Sequence, residues 1–400
     1  MKRNRSPYLF YGPDARPEHL APRHLQDNLA RLAKENAVLL KGVRLKDIPG
    51  RGAGMVAHRR LKRGQKILRV PTQLVHSLHT VPERISGRLP PDMSIHALLA
   101  ANLTVDGMAG LSTWKDSLPT LGDFNTGLPF MWHKELQELL PKPARELLKK
   151  QQDSFHRDWN KVAKAFPDLR QDDYLHSWFV INTRTFYYAT PRTEKYPPVD
   201  RLAIVPIADF FNHADTGCEV TFDKDGFIVS ADRDYHGDQE VYISYGAHTN
   251  DFLLAEYGFL PAANRWDEVC VDEVILPKPS TAHKELLQGE GLLGPFMLDS
   301  ETLGCKKTQA AVRLLCCGSR GQWKESLDGE GCGEHCRGEA YTLLRSLLVD
   351  YSAMVGKAVQ DVGGLQVGQA AQRELLEQRW RQVDTIVTQA LSHLQSLSVL

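Results

Sequence analysis

The sequence predicts an α+β protein in which a β-rich module of short strands is interrupted by a helical insert and followed by an all-helical C-terminal domain. Three observations carry that expectation. Short alternating apolar runs, punctuated by Gly and Pro, fill two separate stretches, Val38 to Ser77 and Ala203 to Tyr245. Between them, from about Met93 to Phe186, apolar residues return at helical spacing, as in HKELQELLPKPARELLKKQQDSFHRDWNKVAKAF. From about Trp266 onward the helical period resumes and ends in AAQRELLEQRWRQVDTIVTQALSHLQSL.

In chain order, residues 1–25 are rich in Pro, Arg and His and read as a loose lead-in. LQDNLARLAKENA, Leu25 to Ala37, has helical spacing and opens the first part of the β-module, residues 26–92. Within that part, Met55-Val56-Ala57 and Lys66 to Val70 read as small strands separated by turns. The helical insert covers 93–180, the second part of the β-module 181–262, and the C-terminal domain 263–400. FDKDGF supplies an Asp-Gly hairpin turn in the second part. There is no internal repeat.

Four hundred residues exceed one ordinary core. With 42% hydrophobic and 24% charged residues the composition is that of a globular chain. Lys+Arg equals Asp+Glu at 49 each, so no global basic field points to nucleic acid. No apolar window reaches the length of about 18 residues that a membrane span requires, and the basic N-terminus lacks the apolar core of a signal peptide. Seven cysteines, an odd number, fit reduced thiols better than a disulfide framework. A monomer in the cytoplasm or nucleus, with neither membrane nor nucleic acid as partner, is the expectation.

RLAIVPIADFFNHADTGCEV, Arg201 to Val220, poses the sharpest question. Eight of the ten residues Leu202 to Phe211 are apolar and strand-like, yet the run breaks into Asn212-His213 with Asp209 just before and Asp215 just after. Buried polar groups need partners, from the fold or from a ligand. Asp209, His213, Asp215 and Cys218 could ligate a metal, but no two share a zinc or facial-triad spacing, and no metal is expected. Cys316 to Cys336 holds four cysteines and His335 without paired C-x-x-C spacing, and reads as reduced thiols in a variable loop. The glycines of PGRGAGMVA lead into strand, turn and strand rather than a helix, against a dinucleotide fingerprint. That leaves a plain turn within the β-module, or a turn whose backbone approaches a cofactor. Tyr245 and Tyr257, each followed by Gly, would alone be core aromatics.

GRGAGMVA, NTRTFY, VPIADFFNHAD and VYISYG…LLAEYGF occur in that order at a distinctive spacing. Together they resemble the SET-domain protein methyltransferases, and among them the branch typified by plant Rubisco large-subunit lysine methyltransferases. That branch has a split SET domain and a helical substrate-binding domain. The likeness covers roughly residues 25 to 395, strongly over the motifs and only architecturally beyond them. It implies S-adenosylmethionine as cofactor, a protein substrate bearing the target lysine, and roles by position. Arg51, Gly52 and Ala53 fall at the family's first glycine turn beside the cofactor, and Arg184 matches a cofactor-site arginine. Asn212 and His213 match the pair holding the methionine and adenine ends. Tyr245 matches the tyrosine between cofactor and target lysine, and Tyr257 the catalytic one. Asp209, Phe186 and Tyr188 fall on the substrate side. Tyr188 stands where that branch can carry a basic substrate contact, and the loop between the tyrosines is one residue shorter than in the plant enzyme. No Cys-rich segment follows Tyr257.

The implied reaction is in-line attack on a sulfonium methyl by a neutral lysine amine. Keeping a free lysine neutral at pH 7 costs about 4.6 kcal/mol. An apolar channel and a nearby positive sulfur would both lower that cost. Tyr257, with an ordinary phenol pKa, would align the nucleophile rather than ionise. The cofactor would supply the missing partners of the Asn-His pair. A histidine-directed transferase and a catalytically silent SET scaffold are the rival expectations.

Overall fold

The computed structural model describes residues 22–49, 51–108, 111–224, 226–299, 303–327 and 334–397, with side chains from 26 in the first range and from 337 in the last. The lead-in to residue 21, Gly50, Asp225 of the expected Asp-Gly turn and Cys332 lie outside them, as do the side chains of His335 and Cys336. Contacts divide the chain into one unit of Met1–Trp132, Glu146–His248 and Phe252–Arg265, and another of His133–Arg145, Thr249–Asp251 and Trp266–Leu400.

The first unit begins with a helix, Pro22–Glu35, that buries Leu29, Leu32 and Ala33 at helical spacing. Its strands are β1 (Leu39–Leu40), β2 (Val43–Ile48), β3 (Gly52–Ala57), β4 (Lys66–Val70), β5 (His76–Ser77), β6 (Thr185–Tyr187), β7 (Leu202–Ile204), β8 (His213–Asp223) and β9 (Gly226–Ser230). They form a four-stranded sheet β1-β4-β9-β8, a three-stranded sheet β5-β7-β6 and the hairpin β2-β3, every pairing antiparallel. In β4 the register shifts between Lys66 and Leu68, which lets Ile67 and Leu68 both point inward despite being neighbours. The glycine turn thus sits in a β-hairpin with Ile48 opposite Gly52, and no helix follows it. β8 and β9 close as a hairpin with Asp223 opposite Gly226.

The insert supplies the helix Ile95–Asp106, capped by the Ser94 hydroxyl on Ala97 N at 3.1 Å and ended by Gly107 at φ +64. Eight of its residues are buried, so it is apolar nearly all round and packs against the helix Gln171–Arg184. Phe130, Phe155, Trp178 and Phe179 interlock edge to face beside them, with centroids 5.1 to 5.9 Å apart in four of their pairs. The strand sheets and these helices share one hydrophobic core.

The second unit is helical, built mainly on Lys306–Cys316, Glu334–Gly364 and Ala370–Leu397. It departs from the all-helical expectation by one antiparallel ladder, β10 (Val269–Cys270) with β11 (Met297–Leu298). Arg379 is fully buried there, its Nε donating to Asp251 at 2.8 Å and Nη1 to Asp267 at 2.7 Å. Among the described residues no helix is long and apolar enough to cross a membrane.

Candidate active site

The apolar run that looked like one strand is not one. β7 stops at Ile204, and Ile207 takes φ +78, ψ −42, a conformation a β-branched residue adopts only under strain. A short 3-10 turn, Ala208–Phe210, follows. This reversal ends the strand, and the polar residues of the segment each meet separate partners.

Asp209 meets Arg184 and Trp114. Arg184 Nη1 donates to both the carboxylate Oδ2 and the backbone carbonyl of Asp209, each at 2.9 Å. Trp114 Nε1 donates to the same Oδ2 at 3.1 Å. The Asp209 side chain has no exposure and Arg184 retains 19%. Burial holds the Asp209 carboxyl above its usual range, against the opposing pull of Arg184 and Trp114. Asp209 Oδ1 and Arg184 Nε are buried without a partner.

Asn212 donates from Nδ2 to Glu240 Oε1 at 2.8 Å. Glu240 also accepts on Oε2 from the Tyr242 hydroxyl at 2.8 Å and pairs there with Arg51 Nη1 at 2.7 Å. Arg51 reaches the Tyr242 oxygen as well, at 2.7 Å. Burial pushes the Tyr242 phenol up to about 12. β3 lies directly against this cluster: a Cβ on Gly54 would stand 2.6 Å from Asn212 Nδ2 and 3.0 Å from Glu240 Oε1. Glycine is needed there for close approach. Gly52, at φ +69, and Ala53 continue the same edge of the hairpin.

His213 accepts on Nδ1 from the backbone N–H of Tyr245 at 3.0 Å, which requires the neutral ring. Burial, then His248, lowers its pKa to about 4. Asp215 pairs with Arg265 at 3.1 Å. The fold itself therefore supplies partners to Asp209 and Asp215, to Asn212 Nδ2 and to His213 Nδ1.

Tyr245 and Tyr257 face each other with ring centroids 5.1 Å apart. The Tyr245 hydroxyl donates to Phe211 O at 2.9 Å, so its proton is fixed. The Tyr257 hydroxyl has no protein partner among the described residues. Burial raises both phenols, Tyr257 to about 12 with its neighbour Glu256 adding to the effect, in place of the ordinary value expected from sequence. A cavity of about 270 Å³ is lined by Thr183 to Tyr187, Asp209, Phe211, Val220, Ser244, Tyr245, Gly246 and Tyr257. It thus gathers Arg184, Phe186, Asp209, Tyr245 and Tyr257. Tyr188 is not in its lining and packs edge-on against Phe222 at 4.8 Å. Arg51 and Asn212 form the separate Glu240 cluster. No group of three His, Cys, Asp or Glu among the described residues could hold a metal.

Glu240, Tyr242 and Trp114 were missed from the sequence. Glu240 and Tyr242 share a face of the alternating segment EVYISY, a signal that an acid and a phenol project together. Trp114 lies 95 residues from Asp209 and carried none.

Residues 52–246 match the family model of the SET domain. Human SET domain-containing protein 4 is 25% identical over 311 residues, 70% of each chain. Ribosomal lysine N-methyltransferase 2 of Saccharomyces cerevisiae is 23% identical over 301 residues, covering 63% of this chain and 62% of that one. Actin-histidine N-methyltransferase of Xenopus tropicalis is 27% identical over 263 residues, 60% of this chain and 44% of the relative. The crystal structure of the SET domain of LSMT bound to methyllysine and AdoHcy superposes over 93% of both chains with a TM-score of 0.60 at 17% identity. The structure of Rubisco LSMT bound to AdoMet does so with a TM-score of 0.63 at 16% identity, over 94% of this chain and 92% of that one. Residues 52–246 thus carry the SET-domain match, and the chain shares the fold of the LSMT structures.

Proposed function

We propose that this chain is an S-adenosylmethionine-dependent protein methyltransferase that modifies the side-chain amine of a lysine. The observation carrying the lysine reading is the cavity's composition. Phe186, Phe211, Tyr245 and Tyr257 contribute its rings, and its only carboxylate, Asp209, is neutralised by Arg184. An ammonium entering there finds no unpaired carboxylate, so desolvation favours its neutral, nucleophilic form. Tyr257, a neutral phenol at pH 7, presents its hydroxyl to the nucleophile. Tyr245, its proton held by Phe211 O, offers oxygen lone pairs to an amine N–H. Alignment of this kind can supply several kcal/mol of the barrier.

The residues present fit the cofactor. The backbone of Gly54 lies flush against Asn212, where a Cβ would intrude, and Glu240, itself held by Arg51 and Tyr242, fixes the Asn212 amide in one orientation. Arg51, Gly52, Ala53, Arg184, Asn212 and His213 would hold it, with Tyr245 at its junction with the target. When bound it supplies the sulfonium methyl. Two neighbours in the fold are bound to AdoMet or AdoHcy, one of them with methyllysine, and a ribosomal lysine methyltransferase is among the relatives. An actin-histidine methyltransferase is among them too.

The test is incubation with methyl-labelled S-adenosylmethionine and lysate from cells lacking the gene, followed by amino-acid analysis. Label in methyllysine, abolished by Tyr257→Phe with cofactor binding retained, is expected. Label in methylhistidine overturns the lysine assignment, and no label at all leaves a silent scaffold.

A further inference from the structure

Four hydrogen bonds, one buried and three partly buried, converge on the last turn of the helix that ends in Tyr257. That helix, Asn250–Tyr257, has terminal carbonyls that no intrahelical N–H can reach. Gly258 N closes on Leu254 O at 3.1 Å. The next two carbonyls are taken by side chains of other elements. Gln151 Nε2 donates to Ala255 O at 3.1 Å, and Asn182 Nδ2 to Glu256 O at 3.1 Å. Each amide uses its second N–H on one atom, Glu256 Oε2, at 2.6 Å from Gln151 and 2.9 Å from Asn182. Both donors of both amides are thus satisfied, and the carboxylate fixes which way the amides face.

Placed at the negative end of a helix, with two neutral amides as its hydrogen-bond partners, this carboxylate works against the helix dipole. Burial also raises its pKa, opposed by the two amides. The local environment does not explain a carboxylate here; its geometry does. Gly258, at φ +77, tightens the requirement from the other side, since a Cβ there would lie 2.7 Å from the Gly127 backbone. The turn has no room to shift that way.

We propose that Glu256 is a positioning residue: by orienting the Gln151 and Asn182 amides onto the final carbonyls of the helix, it sets where the Tyr257 hydroxyl stands in the cavity. Asn182 belongs to the same NTRTF motif as Arg184 and Phe186, so one segment lines the cavity and anchors the tyrosine opposite. The proposal deepens the methyltransferase reading and rests on Tyr257 acting at the transfer site.

The test compares Glu256→Ala and Glu256→Gln, both checked by circular dichroism. Glu256→Ala is expected to slow label transfer about 10-fold or more at saturating cofactor, as small misplacements of a reacting group do. Its Kd for S-adenosylmethionine should stay within about 2-fold, since the Glu240 cluster is untouched. Glu256→Gln, whose amide oxygen accepts the same two N–H groups, should restore the rate to within about 3-fold. A folded Glu256→Ala at the wild-type rate overturns the proposal, as does a Glu256→Gln no better than Ala. If Glu256→Ala fails to fold, Asn182→Ser replaces it, and a wild-type rate there overturns the proposal equally. A second readout needs no methyl transfer: the ring signal of Tyr257 in ¹³C-tyrosine-labelled protein, identified by its loss in Tyr257→Phe. A shift in Glu256→Ala supports the positioning role and an unchanged signal overturns it. A shifted signal in a chain whose wild type transfers no label leaves the positioning standing and sinks only the methyltransferase reading.

Discussion

Acid should loosen the site through one histidine. His213 has its pKa lowered from 6.5 to about 4, by burial first and by His248 second. In the unfolded chain the ring charges near 6.5, so between pH 6.5 and about 4 the unfolded state binds the extra proton and the folded state does not. Stability is fully present above 6.5 and falls as the pH drops through that window. At 1.36 kcal/mol per unit, acidification from pH 7.5 to 5 removes about 2 kcal/mol through this residue. His213 is only 8% exposed, so solvent screening takes little from that figure. The reason lies in the hydrogen bond. Nδ1 accepts the Tyr245 N–H, and a proton on Nδ1 would turn acceptor into donor. His213→Asn keeps an acceptor near Nδ1 but cannot titrate. Urea unfolding followed by tryptophan fluorescence at pH 7.5 and 5 is the assay. The other lowered histidines away from the site, His76 and His96, contribute equally to both proteins and cancel in the difference, leaving His213 with its coupling to His248. Wild type should lose about 2 kcal/mol more than the variant. Equal losses would refute the reasoning.

Asn212→Ala should raise the S-adenosylmethionine Kd about 10-fold by calorimetry, the equivalent of one hydrogen bond, with the unfolding midpoint little changed; an unchanged Kd counts against the cofactor role. Gly54→Ala drives a Cβ to within 2.6 Å of Asn212 Nδ2 and should weaken the same binding while leaving the Tyr257 ring signal unmoved. Trp114→Phe keeps an aromatic ring but removes the pyrrole part with its donor to Asp209, and should cost at least about 1–3 kcal/mol in urea unfolding, the void adding to the lost hydrogen bond. Arg379→Met strands two buried carboxylates, Asp251 and Asp267, and should destabilise the helical unit by about 3–5 kcal/mol.

The order of strands and helices was legible because each leaves a period. β4 shows it in Leu68 and Val70, with Ile67 added by the register shift, and the insert shows it in its helical spacing. What the period could not show was the reversal at Ile207. Eight apolar residues in ten look like a strand, and the strained turn that breaks them depends on tertiary packing rather than local preference. The ladder in the second unit escaped for the opposite reason: two strands of two residues are too short to carry alternation. The motifs located the two tyrosines, Arg184 and the Asn-His pair. They did not show how those residues are held, because their partners come from distant segments.

That difference bears on how the site works. A motif marks the residues nearest the reacting atoms, whose types the chemistry constrains. The residues behind them need only deliver a hydrogen bond from the right direction, so Trp114 and Gln151 carry no signature, and Glu240 only the alternation it shares with Tyr242. Yet they decide ionisation. Without Arg184 and Trp114, Asp209 would be an uncompensated buried carboxylate facing the cavity. An entering ammonium would then pair with it and stay protonated. With both in place, the acid is paired before any substrate arrives, which on the lysine reading proposed above removes an entering amine's reason to keep its proton. A substitution at Trp114 should therefore reach beyond stability, shifting the pH dependence of label transfer upward as Asp209 becomes available to the ammonium. A pH profile of Trp114→Phe identical to wild type would mean that the buried pair is structural alone.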